Sequence, residues 1–312
     1  MTIPAHSSCG AEQRRRGRSA AGDNAGVRLA LRRGRVVAKG RAGQSTFGPG
    51  DARYVPTRRA RSGAHATLSL RLGGVPYGVG APLLAGLADE PTITFVQAPP
   101  TELIERLRHG DLDAALVSSI EAVRAPGYAV ARGLGIACKR EIRSVRAFRR
   151  RGTPIRSVGL DQSSATSVAL LRLLLAHVHA GDVAHDVRFT TIAPTRHPDD
   201  LPHDLVLLIG DHGLLADPGP REAWDLGSEW HRWTALPFVF AVWVLRGGVD
   251  PARVRPALLR GRERGRLLGA VDGTHGAAHY DLDAEDVAGL RRFWAECRSL
   301  GLASAPDAPF VG

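Results

Sequence analysis

From Leu68 onward, short apolar runs alternate with segments whose apolar residues recur at helical spacing. The runs LSLRLGG (68–74), TITFVQ (92–97), AALVSS (114–119), GLGIAC (133–138), RSVGL (156–160), VRFTTIA (187–193), DLVLLIG (204–210) and PFVFAVWVL (237–245) have the length and β-branched content of strands. Helical spacing is found at about 99–109, 163–180, 252–269 and 283–300. In 163–180 it places Val168, Leu171, Leu175 and Val178 on one stripe, after an opening rich in capping residues: Ser163, Ser164, Thr166 and Ser167. Strands that alternate with helices predict an α/β fold with a largely parallel sheet.

Charge changes the picture only at one end. The 312-residue chain has a formal net charge of +11. Residues 1–67 hold 14 Lys/Arg against 3 Asp/Glu, and the rest of the chain is balanced. The basic segment is rich in Arg, Gly, Ala and Ser without apolar periodicity, so it is expected to be a disordered extension, or the product of a start site set too far upstream. A phosphate-binding arm is the rival expectation, weighed down by the neutrality of everything after it; nucleic acid is not an expected partner. With no apolar run suited to a signal peptide or a membrane span, the sequence predicts a cytoplasmic protein with no membrane partner. It leaves open whether the chain forms a homo-oligomer. Cys9, Cys138 and Cys297 are odd in number and lie far apart, and the twelve His are scattered, so neither a disulfide framework nor a metal site is expected.

Several chemistries lose their usual supports. GVGAPLLAG (78–86) lacks the G-x-G-x-x-G order of a dinucleotide turn, and no phosphate-binding P-loop, G-x-S-x-G or H-E-x-x-H motif is present. No cofactor is expected. Ligands of α/β proteins bind beyond the carboxyl ends of strands. That rule nominates the Tyr77 turn, Ser118 and Ser119, Ser144, the Ser163–Ser167 helix start with Ser164, Thr166 and Ser167, and Gly210-Asp211-His212. Each has a plain structural alternative as a cap or a strand end. Together they describe a cleft lined with hydroxyls for a small anion, with a helix N-terminus available to it.

The most distinctive segment is DLGSEWHRWTALPFVFAVWVLR (225–246), an aromatic-rich turn leading into an apolar strand, with Trp224, Trp230 and Trp233 expected in the core. It resembles the pattern D-L-G-x-x-W-x-x-W-T-G-L-P-F-V-F-A-V-W of the chorismate dehydratase family, from the futalosine route to menaquinone. The likeness extends in order through GDLDAALVSSIEAV (110–123), Ser144-Val145, Thr166-Ser167, LIGDHGLL (208–215) and GLRRFWAECRSLGL (289–302), covering residues 68–302.

That resemblance implies a two-lobed fold like the type 2 periplasmic binding proteins, with a ligand cleft between lobes. It sets 68–144 with 241–312 in one lobe and 145–240 in the other, with crossings around Ser144 and Phe238–Trp243. It implies a lyase that removes water from chorismate, a small-molecule carboxylate, to give 3-[(1-carboxyvinyl)oxy]benzoate, with the substrate's own carboxylate as base. It makes Ser144 the catalytic residue; Tyr77, Ser118, Ser119, Ser164, Thr166, Ser167 and Asp211, nominated by the strand-end rule, are expected to bind the substrate. One departure is chemical. The family turn [YF]-L-N-x-x-P-L reads here Tyr77-Gly78-Val79-Gly80-Ala81-Pro82-Leu83, so Val79 stands where the family has an Asn that faces the substrate. The chain's sole Asn is Asn24, in the basic segment. Gly78 and Gly80 would let backbone approach the ligand in its place. A non-catalytic carboxylate-binding protein of the same fold is the alternative.

Overall fold

The computed structural model describes residues 69–269 and 278–312, so the expectations about the basic segment, Cys9 and Asn24 lie outside the described residues. The chain first lays down β1 (Leu70–Gly74), α1 (Ala81–Leu84), β2 (Ile93–Gln97), α2 (Pro100–His109), β3 (Ala114–Ser118) and β4 (Ala129–Cys138). It then crosses to a second sheet with β5 (Val145–Arg149), β6 (Ile155–Asp161), α3 (Ala165–His177), β7 (Val183–Ile192), β8 (Leu205–Ile209), α4 (Gly210–Leu215), β9 (Glu222–Asp225) and α5 (Leu226–Thr234). It returns through β10 (Phe238–Leu245), α6 (Pro251–Leu267), β11 (Ala278–Asp281), α7 (Ala284–Ser299) and β12 (Phe310–Val311).

One sheet runs β11-β4-β10-β3-β1-β2, with β12 added on β4; the other runs β7-β6-β8-β5-β9. Neither is largely parallel. β1 pairs in parallel with β2 and β3, but β10 lies antiparallel between β3 and β4, and β5 lies antiparallel between β8 and β9. The physical reason is the crossing: a strand that comes back from the other sheet enters from the opposite end. Periodicity within the strand itself does not record that direction. The changeovers fall at 139–144 and 235–237, so the boundary expected at 240/241 falls inside β10, which pairs with β4 from Phe238 onward.

Local chemistry accounts for the elements. α2 begins with Pro100 at its first position, where a missing N–H costs nothing, and ends at Gly110, whose left-handed φ of 81° lets its N–H reach the carbonyls of Arg106 and Leu107. Ser164, not Ser163, caps α3, accepting the Ser167 N–H at 3.3 Å. The helix closes at His177, so Val178 falls outside it and is exposed. α7 opens on a reciprocal cap between Asp283 and Asp286. The aromatic turn expected before β10 is instead α5, capped by Asp225. Of its tryptophans, Trp230 is fully buried, its Nε1 donating to the Pro237 carbonyl at 3.0 Å, and Trp224 is buried against the face of His179 with ring centroids 3.9 Å apart. Among the described residues no helix is long and apolar enough to cross a membrane.

Candidate active site

A cavity opens between the two sheets. From the first come Tyr77, Val79, Ser118 and Phe240, and from the second Ser163, Ser164, Ser167 and Gly210; Ile142 and Ser144, on the 139–144 crossing, close one end. The strand ends therefore converge as the α/β rule requires. Six hydroxyls, on Tyr77, Ser118, Ser144, Ser163, Ser164 and Ser167, share the wall with apolar side chains, and no Asp, Glu, His, Lys or Arg is among the lining residues. An adjoining hollow shares Pro100 and Ser118, and there Arg108 and Arg124 both pair with the buried Glu121.

The hydroxyls differ in what they already hold. Ser164 Oγ accepts from Ser167 N at 3.3 Å and from Ser167 Oγ at 3.1 Å, with Ser118 Oγ 3.4 Å away. Ser163 donates to the carboxylate of Asp161. Ser144 is only 2 % exposed, and its Oγ has no hydrogen-bond partner among the described residues. That oxygen is not one of the fully buried, unpartnered side-chain atoms of the described residues, so it opens on the cavity and is available to a ligand. Beside these groups, the N–H groups of Ala165 and Thr166 in the first turn of α3 have no carbonyl four residues back to bond, and they add positive potential at that end of the cavity. Burial raises the Tyr77 phenol above its ordinary pKa, offset in part by Ser163, so it is a neutral hydroxyl at physiological pH.

Ser144 is held by its surroundings. Arg143, immediately before it, has a left-handed φ of 64°. The Asp225 carboxylate accepts the backbone N–H groups of Ile142 at 3.1 Å and Arg143 at 2.6 Å, while it caps α5 through Ser228 N at 2.9 Å. One carboxylate thus ties the first crossing to the helix that precedes the second.

Tyr77, Val79, Ser118, Ser144, Ser164 and Ser167, expected from the sequence, all line the cavity. Ser119, Thr166 and Asp211 are not among the lining residues. Ser119 Oγ donates to the Val239 carbonyl at 2.7 Å and lies 3.3 Å from Thr166 Oγ1, which also accepts the Ile120 N–H. The pair forms a polar seam that joins the two lobes beneath the cavity. Asp211 is exposed in the first turn of α4, and the neighbouring Gly210 lines the wall instead. Neither Gly78 nor Gly80 is a lining residue; a Cβ at Gly80 would meet Val75 at 3.1 Å, so its small size serves packing. Sequence reasoning missed Asp161, Asp225 and Ile142. The only signal for the first two was an Asp two or three residues before a helix start or directly at one.

Two α/β lobes, joined by two crossings and closing on a small-molecule cavity, make a two-lobed fold of the periplasmic-binding-protein type. A ligand-binding component of an ABC-type import system from Staphylococcus aureus, with zinc bound, matches at a TM-score of 0.50 and 13% identity, covering 77% of this chain and 95% of that one. The periplasmic aliphatic sulphonate binding protein SsuA from Escherichia coli matches at a TM-score of 0.47 and 13% identity, over 77% of this chain and 94% of its own. Sequence gives the narrower placement. The chain belongs to a menaquinone-biosynthesis family, whose model matches residues 70–266. A protein of Thermus thermophilus described as chorismate dehydratase is 30% identical over 275 residues, spanning 74% of this chain and 97% of that relative.

Proposed function

We propose that the chain is a chorismate dehydratase, a lyase whose active site is the interlobe cavity and whose central residue is Ser144. The observation that carries this reading is the unpartnered Ser144 hydroxyl, buried in a cavity between lobes, in a chain 30% identical to a chorismate dehydratase.

In that reaction a ring hydroxyl leaves with its C–O bond, a neighbouring ring carbon gives up its proton, and the two depart as water while the ring becomes aromatic. Aromatisation supplies the driving force, so the protein's work is to orient the substrate and stabilise shifting charge. The cavity suits this division. A substrate carboxylate is received by the Ser164 hydroxyl and the first turn of α3. The Ser144 hydroxyl donates to the oxygen that develops charge. No lining residue is a conventional general base, and the substrate's own carboxylate takes the ring proton. Arg108 and Arg124, in the adjoining hollow, favour entry of an anion.

Val79 favours a second reading. It places an apolar side chain in the wall where a dehydratase would carry an amide, and a polar ligand group left unpaired there costs about 1–3 kcal/mol. A carboxylate-binding protein without turnover would tolerate that. Incubation of the purified protein with chorismate decides between them: loss of its ultraviolet absorbance, with 3-[(1-carboxyvinyl)oxy]benzoate identified by mass, supports the enzyme. Binding without turnover over hours supports the second reading.

A further inference from the structure

Asp161 ends β6 directly behind the cavity wall and is 1 % exposed. Its Oδ1 accepts Ser163 N at 2.9 Å and Ser163 Oγ at 2.5 Å, and its Oδ2 accepts Ile209 N at 3.3 Å. A carboxylate accepts and does not donate, and a serine has one proton to give. The Ser163 proton is therefore committed inward to Asp161, and what Ser163 offers the cavity is lone pairs alone. Ser144 and Ser164 have the opposite polarity, while the Ser167 proton is given to Ser164. Ser144 has its proton free, and Ser164, which accepts from both Ser167 donors, keeps its own proton to give. The wall thus carries donors at Ser144 and Ser164 and a fixed acceptor at Ser163.

Resting on the reading of the site as a chorismate pocket, we infer that Asp161 is a specificity-determining positioning residue: by holding the Ser163 proton it makes Ser163 an obligate acceptor and selects ligands that carry a hydroxyl as well as a carboxylate. Substrate and product of the proposed reaction differ in this respect. Chorismate has a ring hydroxyl to donate, and the dehydrated aromatic product has lost it. With the product bound, the Ser163 acceptor loses that ligand donor, and a site built to bond a hydroxyl disfavours the analogue that lacks it. The same arrangement that admits the substrate therefore helps to release the product.

The test is the ratio of dissociation constants for the two compounds, with chorismate followed on the stopped-flow timescale and the product by calorimetry. Wild-type protein prefers chorismate. Ser163→Ala lowers that preference about tenfold, and Ser163→Thr, which keeps the hydroxyl, restores it. In Asp161→Ala the Ser163 proton loses its inward acceptor and is free to turn toward the cavity, which shifts the preference toward the product, a reversal that mere loosening of the wall would not give. A ratio unchanged in both Ser163→Ala and Asp161→Ala, with chorismate still bound by each, overturns the inference and leaves the dehydratase reading standing. Failure of the wild-type protein to bind either compound overturns both.

Discussion

Asp225 accepts the backbone N–H of Arg143 at 2.6 Å, and through that contact a helix cap in one part of the fold holds the residue that precedes Ser144. The same carboxylate binds Ile142 N and Ser228 N. The position of the candidate catalytic hydroxyl therefore depends on a side chain 81 residues further along the chain.

Removing that carboxylate exposes the dependence. Asp225→Ala strips the partners from three backbone donors, two of them on a backbone that is already left-handed or next to one. Destabilisation of about 2–4 kcal/mol is expected, measured by urea denaturation. The catalytic rate falls more than substrate affinity, because the defect is one of orientation.

Ser144→Ala separates chemistry from folding. The hydroxyl has no protein partner to lose, so the melting temperature stays within a degree or two of wild type, on the order of a 0.5 kcal/mol change. Turnover of chorismate drops by about 10- to 100-fold or more. A matching fall in stability would show that the hydroxyl serves the fold.

Val79→Asn adds an amide to a wall that is otherwise apolar at that point. Val79 is partly buried and packs against a hydrophobic cluster, so the change costs about 1 kcal/mol of stability. Affinity or rate for chorismate rises about tenfold, as the unpaired substrate group gains a partner. An unchanged rate would place the limit elsewhere.

Acid sensitivity follows from the Asp113 pair. Burial pushes its carboxyl up, but the Arg71 side-chain and backbone donors, the Arg71 charge and Arg246 outweigh it, so the folded pKa lies below the usual range. A depressed carboxylate contributes stability that is present above the unfolded value of about 3.9 and is lost as pH falls through the folded one. Asp113→Asn is therefore expected to be less stable than wild type at neutral pH and to converge with it as pH falls through the depressed folded value, read from urea midpoints across pH.

Ala235 is the clearest case of local strain. It ends α5 with φ of 59°, its N–H bonding the His231 carbonyl, a conformation in which a Cβ costs about 1 kcal/mol. The family pattern W-T-G-L-P has glycine where this chain has Ala235. Ala235→Gly is expected to raise stability by up to about 1 kcal/mol, measured in parallel with the variants above.

Most of the fold was written in local pattern. Buried strands such as FVFAVWVL leave an apolar run, and the caps of α2 and α3 leave Pro, Gly and Ser at the ends, so these elements were placed to within a few residues. The elements that escaped are short or amphipathic in a way that reads as loop: β5, β9, β11, β12 and the helix α5, whose polar face hid it among aromatics. Strand direction escaped because antiparallel insertion is decided by where the chain re-enters, not by composition. Within the site, hydroxyls at strand ends were legible. The carboxylates behind them were not, since Asp161 and Asp225 act through partners distant or turned inward, and a lone Asp before a helix reads as a cap. Ser119 and Thr166 were nominated by the same rule as Ser118 and Ser167, but one step along the chain turns a side chain from the cavity to the seam.

Both passages between the sheets contain a non-glycine residue at left-handed φ, Arg143 in one and Ala235 in the other, and no further such residue occurs among the described residues. A side chain in that conformation narrows the torsional range of its joint. Glycine there would relax the joint and widen its swing, so a variant that melts later would also let its ligand escape sooner, and heat tolerance and residence time would move in opposite directions.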